Sequence, residues 1–140
     1  MPRYLLDTNI LVFMILGELD NISSDVAVIL SDYNNELNTS SISTIELLSL
    51  YKNKKIRTKR YSTPTDFLNA IEDVFHIKIL PFSKSHLTTL SKLEPANRHK
   101  DPFDHAIIAH AIAEKLTLIS SDRQFENYTD QRLDFIYNKR

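Results

Sequence analysis

Short apolar runs and longer stretches with apolar residues at helical spacing take turns along this chain. RYLL at Arg3–Leu6 reads as a strand, and the apolar stretch from Asn9 to Leu16 continues from it as a helix. Ile22, Val26, Ile29, Leu30 and Tyr33 fall on one face of a second helix. LNTSSIS is a short β-like piece leading into a helix carried by Ile45, Leu47, Leu48 and Leu50. TPTDFLNAIEDVF starts as a helix, with Thr63 or Thr65 as cap beside Pro64. HIKILPF reads as a strand through Ile77 and Ile79 that Pro81 stops, and SKSHLTTLSKLE as an amphipathic helix ended by Pro95. DPFDHAIIAHAIAEK has the clearest helical pattern of all. LTLIS is then a buried strand, DRQFENY a helical turn and RLDFIYN a last strand.

This alternation predicts an α/β fold, helices packed around a mostly parallel sheet. No repeat, low-complexity tract or linker divides the chain, so residues 1–140 are expected to form one domain. In such sheets ligands collect beyond the carboxyl ends of the strands. Acidic residues fall at those junctions, and each has an ordinary explanation. Asp7 after the first strand is a good helix N-cap. Glu46 fits a capping box with Ser43 as cap. Asp101 caps a helix that has Pro102 at its first position, which leaves Asp104 projecting from the first turn. Asp122 alone would be a turn aspartate, with Ser120 and Ser121 able to hydrogen-bond it.

Taken together they ask for more than capping. Carboxylates gathered on one sheet edge repel, which raises their pKa values and destabilises the fold. A divalent cation relieves that repulsion. The chain has no Cys, which excludes disulfides and thiolate metal sites, and an oxygen-only ligand set suits Mg2+ or Mn2+. Such a pocket points to phosphoryl chemistry. A single Gly in the chain excludes glycine-rich phosphate loops. Apolar residues make up 42% and charged residues 25%, ordinary for a soluble protein, and no apolar run approaches the ~20 residues of a membrane span. No basic segment precedes a signal-like core, so the expected location is cytoplasmic. The net charge of −1 argues against a protein driven as a whole onto nucleic acid. YKNKKIRTKRY nevertheless gathers Lys52, Lys54, Lys55, Arg57, Lys59 and Arg60 right after the Glu46 helix, a candidate phosphate-binding edge. Arg98, His99 and Lys100 are placed to extend it, and Arg123 to contact phosphate near the acids. His105 and His110 are five apart, not the i,i+4 spacing of a helical metal pair, and with His76 and His86 read as surface or packing residues.

LLDTNILV, the Glu of SISTIELL, DPFDHAIIAHA and LISSDRQF resemble, in order and spacing, the acidic motifs of PIN-domain ribonucleases, above all the VapC-type toxins of bacterial toxin–antitoxin pairs. The resemblance spans nearly the whole chain. It implies a three-layer α/β/α sandwich and a Mg2+- or Mn2+-dependent endoribonuclease. It also implies a homodimer silenced by a cognate antitoxin whose tail enters the site. By the same resemblance Asp7, Glu46, Asp104 and Asp122 are the catalytic, metal-binding acids. Thr8 and Asn9 are the small polar residues after the first Asp, Asn9 orienting the carboxylates. Ser120 is the hydroxyl two residues before the last acid, and Asp101 a cap and outer ligand. A phosphatase of the haloacid-dehalogenase type also opens on a strand ending in Asp, but needs a second acid where this chain has Asn9. A catalytically silent PIN-like module that binds RNA or protein without cutting would show degenerate acids, whereas here all four stand.

Overall fold

The computed structural model describes residues 1–140. Five strands, β1 (Arg3–Leu6), β2 (Glu36–Ser40), β3 (Lys78–Leu80), β4 (Thr117–Ser120) and β5 (Asp134–Tyr137), form one sheet in the order β3-β2-β1-β4-β5. Every neighbouring pair is parallel, with Leu5 opposite both Asn38 and Leu118. A parallel sheet needs crossover connections, and the helices supply them. These are α1 (Thr8–Ile15), α2 (Ser24–Ser31), α3 (Ser41–Lys52), α4 (Pro64–Asp73), α5 (Lys84–Lys92) and α6 (Pro102–Glu114), with 3-10 segments at Leu19–Asn21 and Arg123–Gln131.

Alternation along β1 divides the core in two. Leu6 faces a cluster with Ile10, Leu11, Phe13, Val26, Leu47, Phe67 and Ile71, from α1 through α4. Leu5 faces the other side, with Ile107, Ile108 and Ala111 of α6 and Phe125 and Tyr128 of the second 3-10 segment. Helices on both faces of the sheet make the expected α/β/α sandwich. No helix is long and apolar enough to cross a membrane.

Local signals placed most helix starts. Thr63 caps α4 by accepting from the Asp66 N–H with Pro64 next in line, and Asp101 caps α6 by accepting from Phe103 and Asp104 N–H. Two readings of the sequence are corrected. The cap of α3 is Ser40, whose hydroxyl accepts from the Ile42 N–H, so Glu46 lies in the second turn and is not part of a capping box. Ser43 is fully buried instead, inside the helix. Tyr33 is not on the apolar face of α2: it follows the helix and is fully exposed.

Candidate active site

Four backbone junctions carry the acids. The Asp7 N–H extends the β1–β4 ladder by donating to Ile119 C=O, which fixes its Cα at the strand end while its side chain caps α1 through the Thr8 N–H at 2.8 Å. Asp122 follows β4 and caps the next 3-10 segment through the Gln124 N–H. Asp104 projects from the first turn of α6, and Glu46 from α3. Asp7, Glu46, Asp101, Asp104 and Asp122 line one cavity of about 340 Å3 with Thr8, Asn9, Val12, Phe13 and Arg140. The acids singled out in the sequence are therefore brought together.

Polar neighbours fix Asp7 closely. Ser120 Oγ donates to Asp7 Oδ2 at 2.6 Å and accepts from Asn9 Nδ2 and the Asp122 N–H. The second Asn9 amide proton reaches Asp7 Oδ2 at 3.2 Å, and Asn9 Oδ1 accepts from the Ser121 N–H. Asn9 and Ser120 thus hold the carboxylate from behind and tie the end of β1 to the end of β4. Thr8 does the same for Glu46, donating to Oε1 at 2.6 Å.

Asp7 is 5% exposed. Burial pushes its pKa up from 3.8 to about 7, against the Ser120 and Thr8 hydrogen bonds, and the Asp104 and Glu46 charges add to the rise. Burial likewise raises Asp104 to about 6, against the hydrogen bond from His99, and Asp101 and Asp122 push the same way. The acids are therefore electrostatically one group. In metal-free protein the folded chain keeps protons on Asp7 that the unfolded chain releases above about pH 4, so Asp7 costs stability as pH rises toward 7. His110, held by burial at about 4, acts in the opposite sense below its usual 6.5. Comparison with Asp7→Asn isolates the Asp7 effect. Denaturant unfolding in EDTA should show wild type losing about 2 kcal/mol more than Asp7→Asn between pH 5 and pH 8; parallel pH profiles would contradict it.

The residues suit a hard divalent ion. The carboxyl groups offer only oxygen ligands, the central one is buried without an ion pair, and two are raised in pKa by burial with added repulsion. No three acidic or imidazole groups stand close enough to cage an ion by themselves. Mg2+ does not need a cage, since it keeps several waters and binds through one or two carboxylates.

The basic residues divide. Lys52, Lys54, Arg57 and Lys59 line an adjoining cavity of about 790 Å3 with Tyr51, Thr58 and Pro64, and Ile56 borders both cavities. Lys55 lines neither of the two, and Arg123 lies over the Tyr137 ring at 4.5 Å, outside the acid cavity. His99 does not extend the basic edge: it is buried and bonds Asp104. His86 and His110 are buried packing residues whose rings lie 4.0 Å apart. Arg140, which lines the acid cavity above the Phe13 ring, had no motif to mark it.

Solved structures share this arrangement of elements. VapBC2 from Rickettsia felis bound to a DNA fragment from its promoter matches with a TM-score of 0.71 and 25% identity over 98% of this chain and 99% of that one. VapBC-1 from nontypeable Haemophilus influenzae gives 0.68 and 23% over 96% and 97%. DNA-bound VapBC from Salmonella typhimurium gives 0.65 and 21% over 98% of both chains. By sequence, no curated protein matches the chain. The PIN domain family model matches residues 4–131, from the first strand to the end of the last 3-10 segment, and with it every acid of the cavity: the chain belongs to the PIN domain family.

Proposed function

We propose that this chain is a VapC-type toxin, a cytoplasmic endoribonuclease formed by one domain over residues 1–140, whose divalent ion is held, directly or through its waters, among Asp7, Glu46, Asp104 and Asp122. The observation that carries the reading is the convergence of acids from separate strand–helix junctions on one cavity, beside a second cavity rimmed with lysine and arginine. The PIN family supports a nuclease. The full-length likeness to VapBC chains supports a cognate antitoxin as partner, and the family resemblance supports a homodimer.

Bound Mg2+ or Mn2+ supplies Lewis acidity toward a phosphate and lowers the pKa of its water. The chain's own part is positional. Asp7 is locked by Ser120, Asn9 and the Thr8 N–H, so its carboxylate needs no reorganisation to meet a cation. Thr8 occupies Glu46 Oε1 and leaves Oε2 to bind the ion or accept a proton from water. Asp101 is engaged by the α6 backbone and stands behind Asp104 as an outer acid. Lys52, Lys54 and Arg57 hold the RNA backbone on the flank, where phosphate charge is attracted but kept off the acids. Lys55 and Arg123, which line neither cavity, are the weaker candidates for RNA contact.

Purified protein mixed with total cellular RNA tests this. Cleavage with Mn2+, its loss in excess EDTA and recovery on adding Mn2+ are expected. Cleavage indifferent to EDTA overturns the metal assignment, and RNA retention without cleavage makes the chain a binding module.

A further inference from the structure

One buried side chain next to the acids, His99, has been given no role in the proposed chemistry. His99 is 5% exposed, and its two ring nitrogens are both engaged. Nε2 lies 2.8 Å from Asp104 Oδ2, and Nδ1 lies 3.0 Å from the Tyr128 hydroxyl. A neutral ring that donates from Nε2 to the Asp104 carboxylate must accept at Nδ1, and a third bond is compatible with that direction. The Ala96 N–H donates to the Tyr128 oxygen at 3.1 Å, so the phenol proton is free to point at Nδ1. Nδ1 is then the acceptor, Nε2 carries the proton, and the ring donates to Asp104. Asp104 Oδ1 makes no hydrogen bond within the chain and is left for the cavity.

The surroundings hold this ring in place. His105 packs edge-on against it at 4.9 Å, and Phe125 and Tyr128 pack at 6.1 and 5.7 Å. The backbone bends to deliver it. Asn97 and Arg98 are consecutive left-handed residues, at φ 50° and 62°, and the His99 N–H returns to Ala96 C=O. A left-handed arginine costs energy and persists only where its surroundings determine it. Tyr128 reaches Ala96 and His99 from 32 and 29 residues away, so the second 3-10 segment and the loop before α6 meet on this ring.

We propose that His99 is the positioning residue for Asp104: by donating from Nε2 to Oδ2 it turns the carboxylate so that Oδ1 faces the ion, and Tyr128 sets the tautomer that makes this possible. The inference rests on the metal reading above. Residues behind metal ligands typically change affinity 10–100-fold when removed.

Isothermal titration with Mn2+ alone, on variants checked for folding by circular dichroism, separates the two claims. His99→Phe keeps a flat ring and removes the donor; Mn2+ should bind at least about tenfold more weakly. His99→Gln carries an amide N–H at the reach of Nε2 and should stay within about threefold of wild type. Tyr128→Phe leaves the tautomer unset and should weaken binding severalfold. Wild-type affinity in His99→Phe, with binding lost in Asp104→Asn, overturns the positioning role and keeps the metal site. Equal loss in His99→Phe and His99→Gln overturns it too, since the donor then does not matter. Unchanged affinity in Asp104→Asn sinks the metal reading itself. If His99→Phe does not fold, His99→Gln near wild type together with a weakened Tyr128→Phe sustains the proposal, and wild-type affinity in both refutes it.

Discussion

Asp7→Asn should abolish RNA cleavage, lowering the rate on the order of 10^3-fold, while the protein keeps its fold. The argument runs from charge and from hydrogen-bond direction. Asp7 is the most buried of the acids, and its carboxylate is pinned by Ser120, Asn9 and the Thr8 N–H. An amide keeps the shape, but it brings no negative charge, and its NH2 group must face donors on one side. Rotated one way it meets Asn9 Nδ2 and the Ser120 hydroxyl, which currently gives its proton to Asp7; rotated the other way it meets the Thr8 N–H. On the proposed metal reading the ion loses Asp7 as a ligand either way. The fold is expected to survive because the variant no longer buries a charge, which offsets the mismatch. Cleavage rates and the rise of Tm on adding Mn2+ should both be lost, with a native circular dichroism spectrum. A variant that folds, cuts RNA and gains Tm with Mn2+ as wild type does would remove Asp7 from the site.

The same residues show what can be read along a chain and what cannot. Strand ends and acids were legible because they are local: RYLL stops at an Asp, LTLIS stops before another, and DPFD states its own cap. Helix starts were legible where one candidate stood alone, as at Thr63 and Asp101. The start of α3 was not, because Ser40, Ser41, Ser43 and Thr44 all qualify and pairing of β2 through Ser40 decides among them. His99 was taken for part of a basic edge because Arg98 and Lys100 flank it. Its true neighbours are Tyr128, which is distant in sequence, and an acid reached through a left-handed turn without glycine. No local signal carries such a contact. Asn138 is a similar case: it closes the strand pattern RLDFIYN with no local sign of burial, and it is wholly buried.

Asn138→Ala should cost about 3 kcal/mol, roughly 10 °C in Tm, the largest loss of stability expected from one polar side chain here. Its Oδ1 accepts from the Ser23 N–H at 2.8 Å, and its Nδ2 donates to Asn21 C=O and Ser121 Oγ, each at 2.8 Å. Ser23 is the cap of α2, Asn21 ends the first 3-10 turn, and Ser121 follows β4, so one amide ties three segments that share no secondary structure. The Asn138 N–H meanwhile continues the β4–β5 ladder by donating to Ser120 C=O, which holds the residue where its side chain can do this. Alanine leaves an N–H and a C=O facing the gap, each costing about 1–3 kcal/mol if water does not reach it. Asn138→Asp should be worse, because the carboxylate cannot donate to Asn21 C=O and buries a charge. The damage should also reach the acid cavity, since Ser121 donates its N–H to Asn9, the brace of Asp7. Urea unfolding of the metal-free protein measures the first effect and Mn2+ titration the second. A loss under about 0.5 kcal/mol in Asn138→Ala would show that water replaces the amide without penalty and that these segments are held together by apolar packing alone.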